Sequence, residues 1–122
     1  MIIIGFTAHT SKIIPRILCR RFRHCAVIVP NNRGCLVMYQ FVHHGRIAQI
    51  QMRVRDLEIL RMHGWRFVSM PLDLPVSFNE LDAHTCVDLA KRAIGIHAWH
   101  IQTPYGLYKK IRPMGGFFNC VF

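Results

Sequence analysis

Apolar residues recur along this chain with two different spacings, and the spacing changes where turn formers gather. The run Ile2-Ile3-Ile4-Gly5-Phe6 is short and continuous and reads as a buried strand. After it, Thr10 or Ser11 is placed to cap a helix carrying Ile13, Ile14, Ile17 and Leu18. A second continuous run, His24-Cys25-Ala26-Val27-Ile28-Val29, is followed by the turn-rich Pro30-Asn31-Asn32-Arg33-Gly34 and then by Cys35 to Val42. That order predicts a β-hairpin. Beyond a second turn at His43 to Arg46, Ile47, Ile50 and Met52 alternate loosely with Gln49, Gln51 and Arg53, which predicts a third antiparallel strand.

The period then lengthens. Val54 to Met62 predicts a short helix ended by Gly64, Trp65 to Pro71 another strand, and Asp73 to Ser77 a loop. The clearest helix places Cys86, Leu89, Ala90, Ala93 and Ile94 on one face and Asp88, Lys91 and Arg92 on another, with Gly95 as its stop. Two starts are compatible with it. One lies among Ser77 to Glu80, and the other follows Thr85 and puts Cys86 in the first helical turn. Thr103-Pro104 opens a last helix through Ile111, closed by Pro113 and Gly115-Gly116.

Composition narrows the classes open to this pattern. A chain of 122 residues, 52% apolar and 18% charged, suits one packed domain over residues 1–122. Its apolar start is shorter than a signal-peptide core or a membrane span, and its five cysteines are odd in number with no C-x-x-C pair. These features predict reduced thiols in a cytoplasmic protein with no membrane span. A formal charge of +10 favours acidic partners such as anionic cell-wall polymer, nucleic acid or lipid headgroups. The charge is scattered, however, through Arg20-Arg21-Phe22-Arg23, Arg53-Val54-Arg55, Lys91-Arg92 and Lys109-Lys110, so a solvated basic face is favoured over a dedicated nucleic-acid surface.

A cysteine nucleophile acts as thiolate, which the positive end of a helix dipole and a nearby imidazole both stabilise. Cys86 is placed for the first device. His24 supplies the second if its strand runs past that helix end, and the imidazole then needs a third polar group to fix its tautomer. Pairing His24 to Val29 with Cys35 to Val42 about a turn at Asn31 to Gly34 sets His24 near Phe41, with Tyr39 and His43 on the same face. Tyr39 is therefore the first choice for the third group. Gln40 offers the better acceptor but points to the other face unless a bulge intervenes.

These strings have a familiar order. Arg21-Phe22-Arg23-His24-Cys25-Ala26-Val27-Ile28-Val29 resembles the histidine strand of circularly permuted NlpC-type cysteine peptidases, in which the histidine precedes the cysteine. Thr85-Cys86-Val87-Asp88-Leu89-Ala90-Lys91-Arg92-Ala93-Ile94-Gly95-Ile96 is similar to their nucleophile helix, and Thr103-Pro104-Tyr105-Gly106-Leu107-Tyr108 to the segment that follows it. Gly5-Phe6-Thr7 to Ile17 resembles the strand and helix that come first, so the likeness runs in order from residue 2 to about residue 111. The resemblance implies a papain-like α+β fold in permuted order, an antiparallel sheet packed against the nucleophile helix. It also implies hydrolysis or acyl transfer at an amide or ester, on peptidoglycan-type peptides, other isopeptides or acyl lipids. The third residue of that group, usually acidic or histidine, falls at Tyr39.

The expected site is thus Cys86, His24 and Tyr39, with no cofactor and no metal, the backbone N–H of Cys86 helping to hold an oxyanion. Cys19, Cys25, Cys35 and Cys120 are assigned to packing, because free cysteine is among the most buried residue types. His43-His44 and His97-Ala98-Trp99-His100 lack the ligand number and spacing of a zinc site. The competing expectation is a basic binding protein of the same fold without the chemistry, contacting nucleic acid through Arg20, Arg21, Arg23, Lys109 and Lys110.

Overall fold

The computed structural model describes residues 1–8, 24–31, 33–41, 46–75, 78–79, 81, 83–114 and 116–117. The helix expected around Ile13 to Leu18 lies outside them, as do Cys19, Arg20, Arg21, Arg23, His43, His44 and Cys120. The strands are β1 (Ile2–Thr7), β2 (His24–Pro30), β3 (Leu36–Phe41), β4 (Ile47–Met52), β5 (Arg66–Met70) and the two-residue β6 (Gly116–Phe117). The helices are α1 (Val54–Met62), α2 (Cys86–Ile94) and α3 (Pro104–Ile111). The fold is α+β. Its strands form an antiparallel sheet in the order β4-β3-β2-β1-β5-β6.

The sheet order explains why β1 is apolar at successive positions rather than alternate ones. It lies between β2 and β5, and all six of its residues are buried. On one face Ile2, Ile4 and Phe6 join Cys25, Val27 and Val29 of β2, Leu89, Ala90 and Ala93 of α2, and Leu107, Tyr108 and Ile111 of α3. On the other face Ile3 joins Ala26, Ile28, Met38, Phe67 and Leu57 of α1. A strand covered on both faces has no polar side to show. The outer strand β4 is mostly exposed or half-buried, as an alternating sequence requires.

The β2–β3 hairpin forms, but with a register one residue away from the expected one. Val27 pairs with Tyr39 and Pro30 with Leu36, so the connection includes Cys35 as well as residues 31–34. Asn31 is the cause. Its backbone N–H donates to the Cys35 carbonyl at 2.9 Å, and its side-chain Oδ1 accepts from the N–H of Arg33 at 2.9 Å and of Cys35 at 3.0 Å. The backbone and side chain of Asn31 together set Asn31 opposite Cys35 and so fix the register of the hairpin. A one-residue slip sends every side chain of β3 to the opposite face. Tyr39 consequently lies across from Val27, with Val37 and Phe41 on the helix-covered face, and Gln40 moves to the face expected for Tyr39.

Candidate active site

The start of α2 is fixed by its own side chains. Thr85 is the N-cap, in extended conformation, and its hydroxyl accepts from the Asp88 N–H at 3.0 Å. Asp88 answers by accepting from the His84 N–H at 3.0 Å and from Arg92 Nε at 3.1 Å. Of the two starts compatible with the sequence, the helix therefore takes the one that makes Cys86 its first residue. There the thiol meets the positive end of the helix dipole. Gly95 closes α2 in the left-handed conformation at φ 75°, which a residue without Cβ adopts at no steric cost. Lys91 then holds the following loop by donating from Nζ to the carbonyls of Ile101 at 2.8 Å and Ala98 at 3.2 Å. Thr85→Ala removes the cap acceptor and is expected to cost about 1 kcal/mol of stability, readable as a lower midpoint in urea unfolding.

The helix packs on β2, and its first residue arrives at the first residues of that strand. Cys86 is half-buried, and its thiol is lowered from 9.0 to about 4. The largest cause is a hydrogen bond from the Cys25 side chain. Burial pulls the other way, and the hydrogen bond and positive charge of His24, then the Cys25 backbone, add to the lowering. The chain thus brings Cys86 and His24 together from 62 positions apart in sequence.

His24 opens β2, half-buried and opposite the buried Thr7 of β1. Its Nε2 lies 3.3 Å from Gln40 Oε1, and because an amide oxygen only accepts, the ring donates from Nε2. The residue expected beside His24 was Tyr39. The structure places Tyr39 across from Val27 with its ring edge-on to Phe78 at 6.1 Å, and the side chain that meets His24 is Gln40. The reason is the Asn31 turn and the register it imposes.

Two further residues belong to this cluster. Trp65 stands edge-on to His24, ring centroids 6.3 Å apart, and stacks on Phe67 at 6.1 Å and 14°. The pair is accommodated by Gly5, where a Cβ would lie 3.0 Å from the Phe67 ring and 3.1 Å from that of Trp65. Cys25 was expected only to pack. It does, being fully buried, but its thiol and backbone also touch the Cys86 sulfur. The available signal was its place directly after His24, on the alternate side of the strand that faces α2.

Surface hollows lie elsewhere. One is lined by Asn31, Arg33, Val37, Gln49 and Gln51, and another by residues 100–103 with Gly106, Lys109 and Lys110. Cys86, His24 and Gln40 line neither of them. Lys109 and Lys110 are exposed at the end of α3, with the Lys109 ammonium 5.0 Å from the Tyr105 ring centre. Among the described residues no group of three or more His, Cys, Asp or Glu side chains gathers as for a metal ion, and no helix is long and apolar enough to cross a membrane. Comparison of the chain with protein-family models, curated proteins and solved structures finds no match.

Proposed function

We propose that this protein is a cysteine hydrolase or acyltransferase of papain-like fold in permuted order, with Cys86 as nucleophile, His24 as acid and base, and Gln40 as the group that orients His24. The observation that carries the reading is the relay itself: a thiol at a helix N-terminus meets an imidazole, and the imidazole meets an amide oxygen. Each part answers a requirement of the chemistry. The helix end and the charged ring favour thiolate over thiol, and the Gln40 acceptor keeps a proton on Nε2. Nδ1 is then the ring nitrogen left to exchange a proton with the reaction.

The Cys86 sulfur attacks the carbonyl carbon of an amide or ester, and the carbonyl electrons move to oxygen. The N–H of Cys86, at the first turn of α2 where backbone donors have no helical partner, faces that developing charge. His24 gives its Nδ1 proton to the departing amine or alcohol, and the C–N or C–O bond breaks to leave a thioester on Cys86. Water, or the amine or hydroxyl of an acceptor, gives its proton to His24 as it attacks the thioester and releases the thiolate. A peptidoglycan-type peptide or another isopeptide suits this sequence of steps, as does an acyl ester.

A generic activated ester tests the reading without the natural substrate. With 4-nitrophenyl acetate the reduced protein should release a burst of one nitrophenolate per chain, and Cys86 should gain the mass of one acetyl group. Gln40→Ala, which removes a net hydrogen bond of about 1 kcal/mol, should slow the burst roughly fivefold, and Tyr39→Phe should leave it unchanged. Acetyl spread evenly over several cysteines, or a Tyr39→Phe defect larger than that of Gln40→Ala, would sink the assignment. Survival of salt-sensitive nucleic-acid binding in Cys86→Ser, with no burst in wild type, would favour a basic binding protein instead.

A further inference from the structure

Neither Cys25 nor Cys86 is held in a disulfide, yet they differ in burial and in place in the fold. Cys86 is half-buried, on the first turn of α2. Cys25 is fully buried beneath it, in β2 between Phe6 of β1 and the β3 strand. Its side chain points to the helix-covered face, in the same core cluster against which Cys86 packs, and its thiol is hydrogen-bonded to the Cys86 sulfur. The third described cysteine, Cys35, sits past the far end of β2, level with Asn31 and roughly 20 Å along the strand from Cys25.

We propose that Cys86 and Cys25 form a reversible peroxide-responsive pair, in which Cys86 is oxidised by a hydroperoxide and Cys25 resolves it as an intramolecular disulfide. The inference shares the Cys86 thiolate with the hydrolase reading but does not require that Cys86 attack a carbonyl. The order of events follows from relative access, since Cys86 is partly exposed as a residue whereas Cys25 is fully buried.

The electrons balance in two steps. The Cys86 thiolate attacks the outer peroxide oxygen, the O–O bond breaks, the alkoxide or hydroxide leaves and takes up a proton, and the sulfur becomes sulfenic acid. The Cys25 sulfur then attacks that of Cys86, forming the S–S bond as the S–O bond breaks. The departing hydroxide combines with the Cys25 proton as water. In sum two thiols and one hydroperoxide give one disulfide, one alcohol or water, and one further water. The same thiol–thiol contact that holds the thiolate ready also shortens the life of the sulfenic acid and so keeps Cys86 from the irreversible sulfinic state. While the disulfide stands, Cys86 has no nucleophile to offer.

The test uses the full chain, reduced and then exposed to hydrogen peroxide at near-stoichiometric amounts. Wild type should lose two hydrogens in intact mass, and peptide mapping should join the Cys25 and Cys86 peptides. The thiol reactivity of Cys86 should vanish and return with dithiothreitol. In Cys25→Ala, a volume-reducing change chosen to retain an apolar core, Cys86 should be trapped by dimedone as sulfenic acid and proceed to sulfinic acid that dithiothreitol does not reverse. The wild-type mapping stands without the variant. A disulfide joining Cys86 to Cys19, Cys35 or Cys120, a dimer linked between chains, or sulfinic Cys86 accumulating equally in both proteins would overturn the proposal, as would no oxidation at all. A protein that forms the Cys25–Cys86 disulfide but gives no acetyl burst when reduced removes only the hydrolase reading. One that gives the burst but no disulfide removes only the switch.

Discussion

Iodoacetamide should alkylate Cys86 at a nearly constant rate from about pH 8 down to about pH 5, and the rate should fall only as the pH drops through about 4. An ordinary thiol with a value near 9.0 would instead slow about tenfold for each unit over the whole of that range. In the folded protein the thiol proton leaves at a lower pH than in the unfolded chain. The ionised sulfur therefore contributes stability that is fully present above about 9 and is lost progressively as the pH falls from about 9 to about 4. The stability difference between wild type and Cys86→Ala should accordingly shrink as the pH is lowered through that window.

His24→Ala should change both quantities. It removes a hydrogen bond and a positive charge from the sulfur while leaving the larger contribution of Cys25, so the midpoint of the alkylation profile should move upward without reaching the ordinary thiol value. It also removes the acid and base, and acyl transfer to 4-nitrophenyl acetate should fall about 10²–10⁴-fold. A profile that keeps its midpoint near 4 in His24→Ala, together with an undiminished burst, would separate Cys86 from His24 and end the relay.

The second large effect is one of packing. Phe6 is fully buried in the middle of the sheet, flanked by Cys25 and Arg66 on the neighbouring strands, and its ring meets that of Tyr108 edge-on at 5.2 Å and 77°. Phe6→Ala leaves a cavity between β1 and α3 that the antiparallel strands on either side have little freedom to close. The expected loss is about 3–5 kcal/mol in urea or thermal unfolding, which is a large share of the roughly 5–15 kcal/mol that holds a small domain together. Because Phe6 supports the strand position that carries Cys25, the same variant should also shift the Cys86 alkylation midpoint. A loss below about 1 kcal/mol would mean that this part of the core relaxes freely.

Local chemistry made some of this protein readable from its residues alone. The continuous apolar run at Ile2 to Phe6, the helical spacing from Cys86 to Ile94, the Thr85 and Thr103 caps and the Gly95 stop each act within a few residues of themselves, and they form where that logic puts them. The candidacy of Cys86 followed from such a signal, since a cap and a helix start lie side by side in sequence.

What the tertiary structure decided was which side chains meet. Whether Tyr39 or Gln40 reaches His24 turns on one residue of strand register, and that register is fixed by the backbone and side chain of Asn31 bonding to Cys35, a pairing that alternation of apolar positions does not reveal. Cys25 was legible as a buried strand residue. That its sulfur lies against Cys86 required α2 to pack across β2, a contact between segments some sixty residues apart that no local pattern encodes.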